Sequence, residues 1–357
     1  MRGSILVLHS THGGMLSSTI MSLHLRSWLA SSRYLLFALL IWALVILHLR
    51  LNATNPPKQL PSSLGLLPNY DNVGIANGVC GEGTQSRRVV VTVKTGATEA
   101  SVKIPSQLQT FLRCAPHVLI FSDMEADIGS THLYDALDAI PDSVKEKNSD
   151  FDLYRKQKEL NDSTKIATLL GDMKDPRRPS DLAAWTLDKY KNLHIVEKAW
   201  AMQPDMDWYF HIDADTYVVW STLMLWLERL DPSEKSFIGS LSYINGKAFA
   251  HGGSGMLLSH AATHDFTVTH YGTVARWDDK LHDNCCGDWV LAQALKEFDM
   301  DVMNANPTIN GDQPHVIPFS SDRWCKPLVT MHHITSDEAR LLSDFESRRK
   351  DISVRQI

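Results

Sequence analysis

An α/β fold built on a parallel sheet is the class that the sequence predicts, and three observations carry it. Arg88–Lys94 (RVVVTVK) and His117–Ser122 (HVLIFS) are short β-favouring runs separated by a helix-like stretch, Ile104–Leu112. Strand, helix, strand is the unit of a parallel sheet, because parallel neighbours need a crossover connection. The second run ends at Asp123, and a third apolar run, Trp208–Val219 (WYFHIDADTYVV), carries Asp213 and Asp215. Carboxylates at strand ends fall where ligands sit in open α/β sheets.

The chain has 357 residues, 44% hydrophobic and 21% charged, enough for one domain of about 250 residues plus an extension. A net charge of −6 provides no basic footprint, so nucleic acid is excluded as a partner. Charge is unevenly spread: Arg2, Arg26, Arg33, Arg50 and Lys58 all precede the first acidic residue, Asp71. Residues 34–49 (YLLFALLIWALVILHL) contain no Asp, Glu, Lys or Arg. At about 1.5 Å per residue they would span roughly 24 Å as a helix, close to a thin bilayer core.

The expected organisation is therefore a cytosolic tail over 1–33 and a transmembrane signal anchor over 34–49. A Pro-rich stem over 50–79, a folded domain over 80–345 and a tail over 346–357 follow. A cleaved signal peptide and a buried core helix are the rival readings of 34–49. The basic residues before the segment only slightly outnumber those after it, which gives a weak preference for a cytosolic N-terminus.

The five cysteines, Cys80, Cys114, Cys285, Cys286 and Cys325, include no Cys-x-x-Cys pair. In an oxidising compartment Cys80 with Cys114, and one of Cys285 and Cys286 with Cys325, make plausible bridges that leave one thiol over. Buried small hydrophobes are the plain alternative.

Further elements follow in order. Leu182–Met202 reads as one helix that Pro204 ends. After the Trp208 run, Leu257–His264 and Val290–Phe298 read as helices, and Pro327–Met331 as a strand that delivers His332 and His333. No Walker loop and no Gly-x-Gly-x-x-Gly occurs, which argues against a P-loop kinase or a dinucleotide oxidoreductase. If a nucleotide binds, a cation must neutralise its phosphates in place of a backbone cradle.

Asp213 and Asp215 are the candidates to hold that cation, because residues i and i+2 of a strand share a face and hard cations take oxygen ligands. Spacing alone is a weak signal. With 30 Asp in the chain, chance gives about 2.5 Asp-x-Asp pairs, and there are four. Only Asp213/Asp215 closes an apolar aromatic run, and a polar strand end is the other reading. Successive strand residues face opposite ways, so one of His332 and His333 is expected to join the acids. Asp, Asp and His suit Mn²⁺, with phosphate oxygens and water completing the shell.

Phe249–Met256 (FAHGGSGM) has three glycines in four positions, which permits close backbone approach or a flexible turn. Asp288 lies where the helix before Phe298 begins. It reads as an N-cap or as a general base, with Asp279 and Asp283 as nearby alternatives for the base.

Five segments together, VVVTVKTG, WYFHIDADTYVVW, FIGSLSYINGKAFAHGGSG, CCGDWVLAQALKE and VTMHHI, resemble the fringe-like glycosyltransferases. These are the inverting family of fringe and the core 1 galactosyltransferases, and the likeness is strongest to its fungal members. It spans about residues 80 to 340. The resemblance implies a single GT-A (Rossmann-like) domain anchored in the Golgi as a single-pass type II membrane protein with its catalytic domain lumenal. It implies transfer of a hexose or N-acetylhexosamine from a UDP-sugar to a glycan or glycoprotein hydroxyl, with inversion and a β-1,3 linkage.

Position by position, the resemblance implies that Asp213, Asp215 and His332 hold Mn²⁺, with Mg²⁺ as the alternative, and that Asp288 is the base. Asp288 matches the second of the family's paired acids, and Gly287 stands where the first usually is. Thr92, Lys94, Asp123 and Asp213 are expected at the nucleotide, and His251, Gly252 and Gly253 at the sugar and acceptor. A homodimer is compatible with it. The rival functions are a non-catalytic lumenal chaperone or sugar-binding relative, and a metal-dependent phosphohydrolase, for which no second acid cluster is evident.

Overall fold

A computed structural model describes residues 88–160 and 179–348 except 319, 322, 324 and 325, together with 42, 43, 80, 162, 165 and 166. Side chains of 179–182 are not described. The chain divides after Pro56 into two units. Of the first, only Trp42 and Ala43 are described, both helical and exposed. The expected anchor otherwise lies outside the described residues, as do the cytosolic tail and the stem. Among the described residues no helix is long and apolar enough to cross a membrane.

The second unit is built on an eight-stranded sheet. Its strands are β1 (Val89–Lys94), β2 (His117–Ser122), β3 (Ala126–Ile128), β4 (Thr131–Asp135), β5 (Trp208–Asp213), β7 (Phe237–Gly239), β10 (Met256–Ser259) and β11 (Val302–Asn304). Their order is β11-β7-β10-β5-β1-β2-β4-β3. β1 runs parallel to both β2 and β5, β2 to β4, and β7 to β11, while β10 and β3 run antiparallel to their neighbours. Two short ribbons pair β6 (Tyr217–Val218) with β12 (Thr330–Met331) and β8 (Leu241–Ile244) with β9 (Lys247–Ala250). The expected α/β class holds, and this mostly parallel sheet fits a GT-A-like domain.

Strand alternation sorts the core into two layers, one on each face of the sheet. Val89, Val91, Val93, Trp208, Phe210 and Ile212 point to one face, where α1 (Ala100–Gln109) and the helix Trp220–Leu227 pack through Ile104, Leu223 and Trp226. Val90, Tyr209, Met256 and Leu258 point to the other, against the helices Lys191–Met202 and Gly287–Lys296 through Leu193, Val196, Val290 and Leu295. A one-residue slip of β1 or β5 would exchange the two layers, so the core fixes the register that places Lys94 beside Asp213.

Three local readings are corrected. The first helix runs Ala100–Gln109, with a 3-10 turn over Phe111–Cys114, so it starts earlier than expected. The stretch read as one helix over 182–202 is two, Pro179–Asp188 and Lys191–Met202. Leu257 and Leu258 belong to strand β10, and helix occupies only His260–His264, because a run buried on both sides between β5 and β7 needs no alternation. Gly255 precedes it at φ +99°, and a Cβ there would lie 3.0 Å from the Phe210 ring. The last helix runs Ser336–Arg348.

Cys80 pairs with Cys114 as expected. The second expected bridge is corrected: Cys285 pairs with its neighbour Cys286, and Cys325 lies outside the described residues.

Candidate active site

At the carboxyl ends of β1 and β5, on either side of which the chain departs in opposite directions, a cleft of about 540 Å³ opens. That is a size typical of small-molecule sites. The main-chain N–H of Ala214 donates to Lys94 O at 2.9 Å, that of Thr216 to Asp213 O at 3.0 Å, and Gln107 Nε2 to Ala214 O at 2.6 Å. β5 therefore ends at Asp213, and Asp215 sits in the turn beyond it. The two acids are not consecutive positions of one strand face, and they face different groups.

Asp213 Oδ1 lies 3.2 Å from Lys94 Nζ, which also pairs with Asp188. Asp215 Oδ1 lies 3.1 Å from His332 Nε2, and Oδ2 lies 3.2 Å from Lys103 Nζ and 3.9 Å from His333 Nδ1. Asp215, His332 and His333 each bring a ligand atom within 4.8 Å of the others, a group of metal-ligating type. Burial works to raise the Asp215 carboxyl, but contacts with His332 and His333 and the charge of Lys103 outweigh it and hold it far below the usual range. A carboxylate that stays ionised beside two imidazoles is a donor set suited to a divalent first-row cation.

Asp213 lies outside this group and pairs with Lys94. One reading about the histidines is corrected. The alternation argument that admitted only one histidine fails, because β12 ends at Met331 and His333 adopts a left-handed backbone at φ +56°, which turns its ring to the same side as that of His332.

In the same cleft, Gly252–Ser254 forms a buried 3-10 turn. Thr216 Oγ1 donates to Gly253 O at 2.8 Å and pins it. The glycines here are approached by the site's own side chains: a Cβ on Gly253 would fall 2.1 Å from the His332 ring, and one on Gly252 would fall 3.3 Å from Asp288 Cβ. His251 Nδ1 accepts the Ser254 N–H at 3.1 Å, and its ring meets that of His332 edge-on at 5.5 Å. Burial, reinforced by His332, lowers the His251 pKa.

Asp288 is the second residue of its helix, so Cys286 is the cap. Its Oδ2 accepts the Gly252 N–H at 2.9 Å and its Oδ1 the Trp289 N–H at 2.8 Å. Burial pushes its carboxyl above the ordinary range, and those two donors offset only part of the rise. It lines the same cleft as Asp215 and His332, whereas Asp279 and Asp283 are exposed and outside it. Gly287 has no room for the family's other acid: a Cβ there would lie 2.7 Å from Lys189 O and 3.1 Å from the Asn192 amide.

Two expected nucleotide contacts lie beneath the cleft instead of in it. Thr92 is buried, its hydroxyl 2.6 Å from His211 Nδ1. Asp123 is buried, accepting the Ala97 N–H at 2.6 Å and standing 3.7 Å from Lys191 Nζ. Lys191 in turn donates to Thr95 O at 2.8 Å and pairs with Asp188 at 3.2 Å. Asp123 thus sets the loop after β1 and steadies the lysine row on which Asp188 and Lys94 depend. Lys94 itself lines the cleft.

Lys103 is not among the residues that the sequence singles out. A basic residue in the helix that follows the first strand, four positions after Glu99, was the available signal for Lys103. Its Nζ lies 2.8 Å from Glu99 and 3.2 Å from Asp215, so it brings a cation to the metal side of the cleft.

The sheet order fits a GT-A-like domain, with an acid–imidazole cluster at its switch point. Residues 84–299 match the Fringe-like family. The chain belongs to that family, whose members are typically glycosyltransferases.

Proposed function

We propose that this protein is a metal-dependent inverting glycosyltransferase that moves a hexose or N-acetylhexosamine from a UDP-sugar to a glycan or glycoprotein hydroxyl, with β-1,3 linkage. The same reading places it in the Golgi membrane as a single-pass type II protein. One observation carries it: Asp215, His332 and His333 form a cation-ligating group in a cleft that Asp288 also lines.

Asp215 and His332 would hold Mn²⁺, or Mg²⁺, and the bound cation supplies positive charge against the diphosphate. Lys103 adds a second positive charge on that side. Asp213 and Lys94 form a fixed ion pair at the floor, on which the ribose or first phosphate would seat. Asp288 accepts the proton of the acceptor hydroxyl as that oxygen bonds to the anomeric carbon, whose bond to the β-phosphate oxygen breaks; UDP leaves with the electron pair. Attack from the side opposite the leaving group inverts an α-linked donor to a β-linked product.

The test is Asp288→Asn in the detergent-solubilised full chain. It should keep Mn²⁺ and UDP binding and lose about 10²- to 10⁴-fold in transfer. In the parent protein the acid limb of kcat should lie above an ordinary carboxylate's range, because the base works only when ionised and burial raises it. Normal turnover in the variant would overturn the assignment. UDP-sugar binding without any turnover in the parent would instead support a non-catalytic relative.

A further inference from the structure

We propose that His333 is a second imidazole ligand of the cation, so that the protein supplies one carboxylate and two adjacent histidines. The inference rests on the metal reading of the site and goes beyond it in naming the ligand set and the cation class that the set prefers.

Three independent features point to it. His333 is one of three non-glycine residues with positive φ among the described residues. That conformation is uncommon outside glycine and clusters at functional sites. Here it reverses the alternation of the preceding strand, so the His332 and His333 rings lie side by side with centroids 3.8 Å apart and planes at 33°. Next, each oxygen of Asp215 faces a different ring, Oδ1 to His332 Nε2 at 3.1 Å and Oδ2 to His333 Nδ1 at 3.9 Å.

The backbone around the turn is also clamped to the acid. Ile334 N–H donates to Asp215 O at 2.9 Å, His332 N–H to Asp312 O at 3.3 Å, and Gln313 Nε2 to His333 O at 3.2 Å. A side chain 63% exposed would need none of this to point into solvent. Nitrogen donors raise affinity along the Irving–Williams order, so a two-imidazole set favours Mn²⁺ and later first-row ions over Mg²⁺ more strongly than a one-imidazole set does.

The test uses His333→Gly, which keeps the left-handed backbone without strain, and His333→Asn as a second variant tolerant of that backbone. Full-length protein with ¹⁵N-labelled histidine is loaded with Mn²⁺ and examined by electron–nuclear double resonance. The parent should show two coupled imidazole nitrogens and each variant one. Mn²⁺ affinity in the variants should fall about tenfold, while Mg²⁺ affinity changes less than threefold. Melting without metal reports whether each variant folds. One coupled nitrogen in the parent overturns the inference and leaves the Asp215–His332 reading standing. No Mn²⁺ uptake by the parent at all overturns both.

Discussion

Gly253→Ala should weaken cation binding without unfolding the protein. The new Cβ would lie 2.1 Å from His332 Cε1 and 2.3 Å from Nε2. Carbon contacts settle near 3.5–4.0 Å, so something must retreat by about 1.5 Å. Gly253 cannot yield easily, because Thr216 holds its carbonyl at 2.8 Å. The ring is therefore the part that moves, and its Nε2, now 3.1 Å from Asp215 Oδ1, would recede to roughly 4.5 Å. Two donors to one cation with bonds of about 2.1–2.2 Å are at most about 4.4 Å apart, even on opposite sides. His332 thus drops out of the set.

Losing a protein ligand is expected to weaken Mn²⁺ at least about tenfold, or about 1.4 kcal/mol. The free-Mn²⁺ paramagnetic signal, titrated with and without UDP, reads this directly, and calorimetry checks the fold. Gly252→Ala is the control: its Cβ would sit 3.3 Å from Asp288 Cβ, so it should disturb turnover and spare the cation. If Gly253→Ala binds Mn²⁺ within threefold of the parent while folded, His332 is not a ligand.

Two further outcomes are expected. Lys103→Met removes a cation that competes for Asp215 Oδ2, so Mn²⁺ should bind roughly tenfold tighter without nucleotide while UDP binds more weakly; unchanged affinities for both, read by isothermal titration, would deny Lys103 any place at the site. Burial lowers the His211 pKa to about 3, whereas an unfolded histidine titrates near 6.5. The unfolded chain alone takes up that proton as pH falls between these values, so stability declines by about 1.4 kcal/mol per pH unit in that window and is fully present above it. His211→Gln should flatten urea-denaturation free energies between pH 6 and 4 by that amount; an unaltered slope would show that His211 is not buried as described.

Much of the scaffold was legible because β1, β2 and β5 are compact apolar runs bounded by polar residues, and a run such as VVVTVK has no competing helical period. Strand β10 was read as helix for the same physical reason in reverse: a strand buried on both faces carries no alternation, and Met256–Ser259 leads directly into His260–His264. The carboxylates at the margin of β5 were also visible. Their partners were not, because alternation rules apply only while a strand lasts. β5 stops at Asp213 and β12 at Met331, and the two residues that follow each stop are aimed by turns. Thr92 and Asp123 sat at the right edge in the chain, yet only packing distinguishes a side chain above the sheet from one locked to His211 or Lys191.

Asp215 and His332 are 117 positions apart, and the short ribbon between Tyr217–Val218 and Thr330–Met331 is what joins them. A polypeptide that stops before Thr330 would retain every strand of the large sheet yet possess only half of its ion grip. The grouping of these ligands is thereby tied to a ribbon strand that follows every strand of the large sheet in chain order.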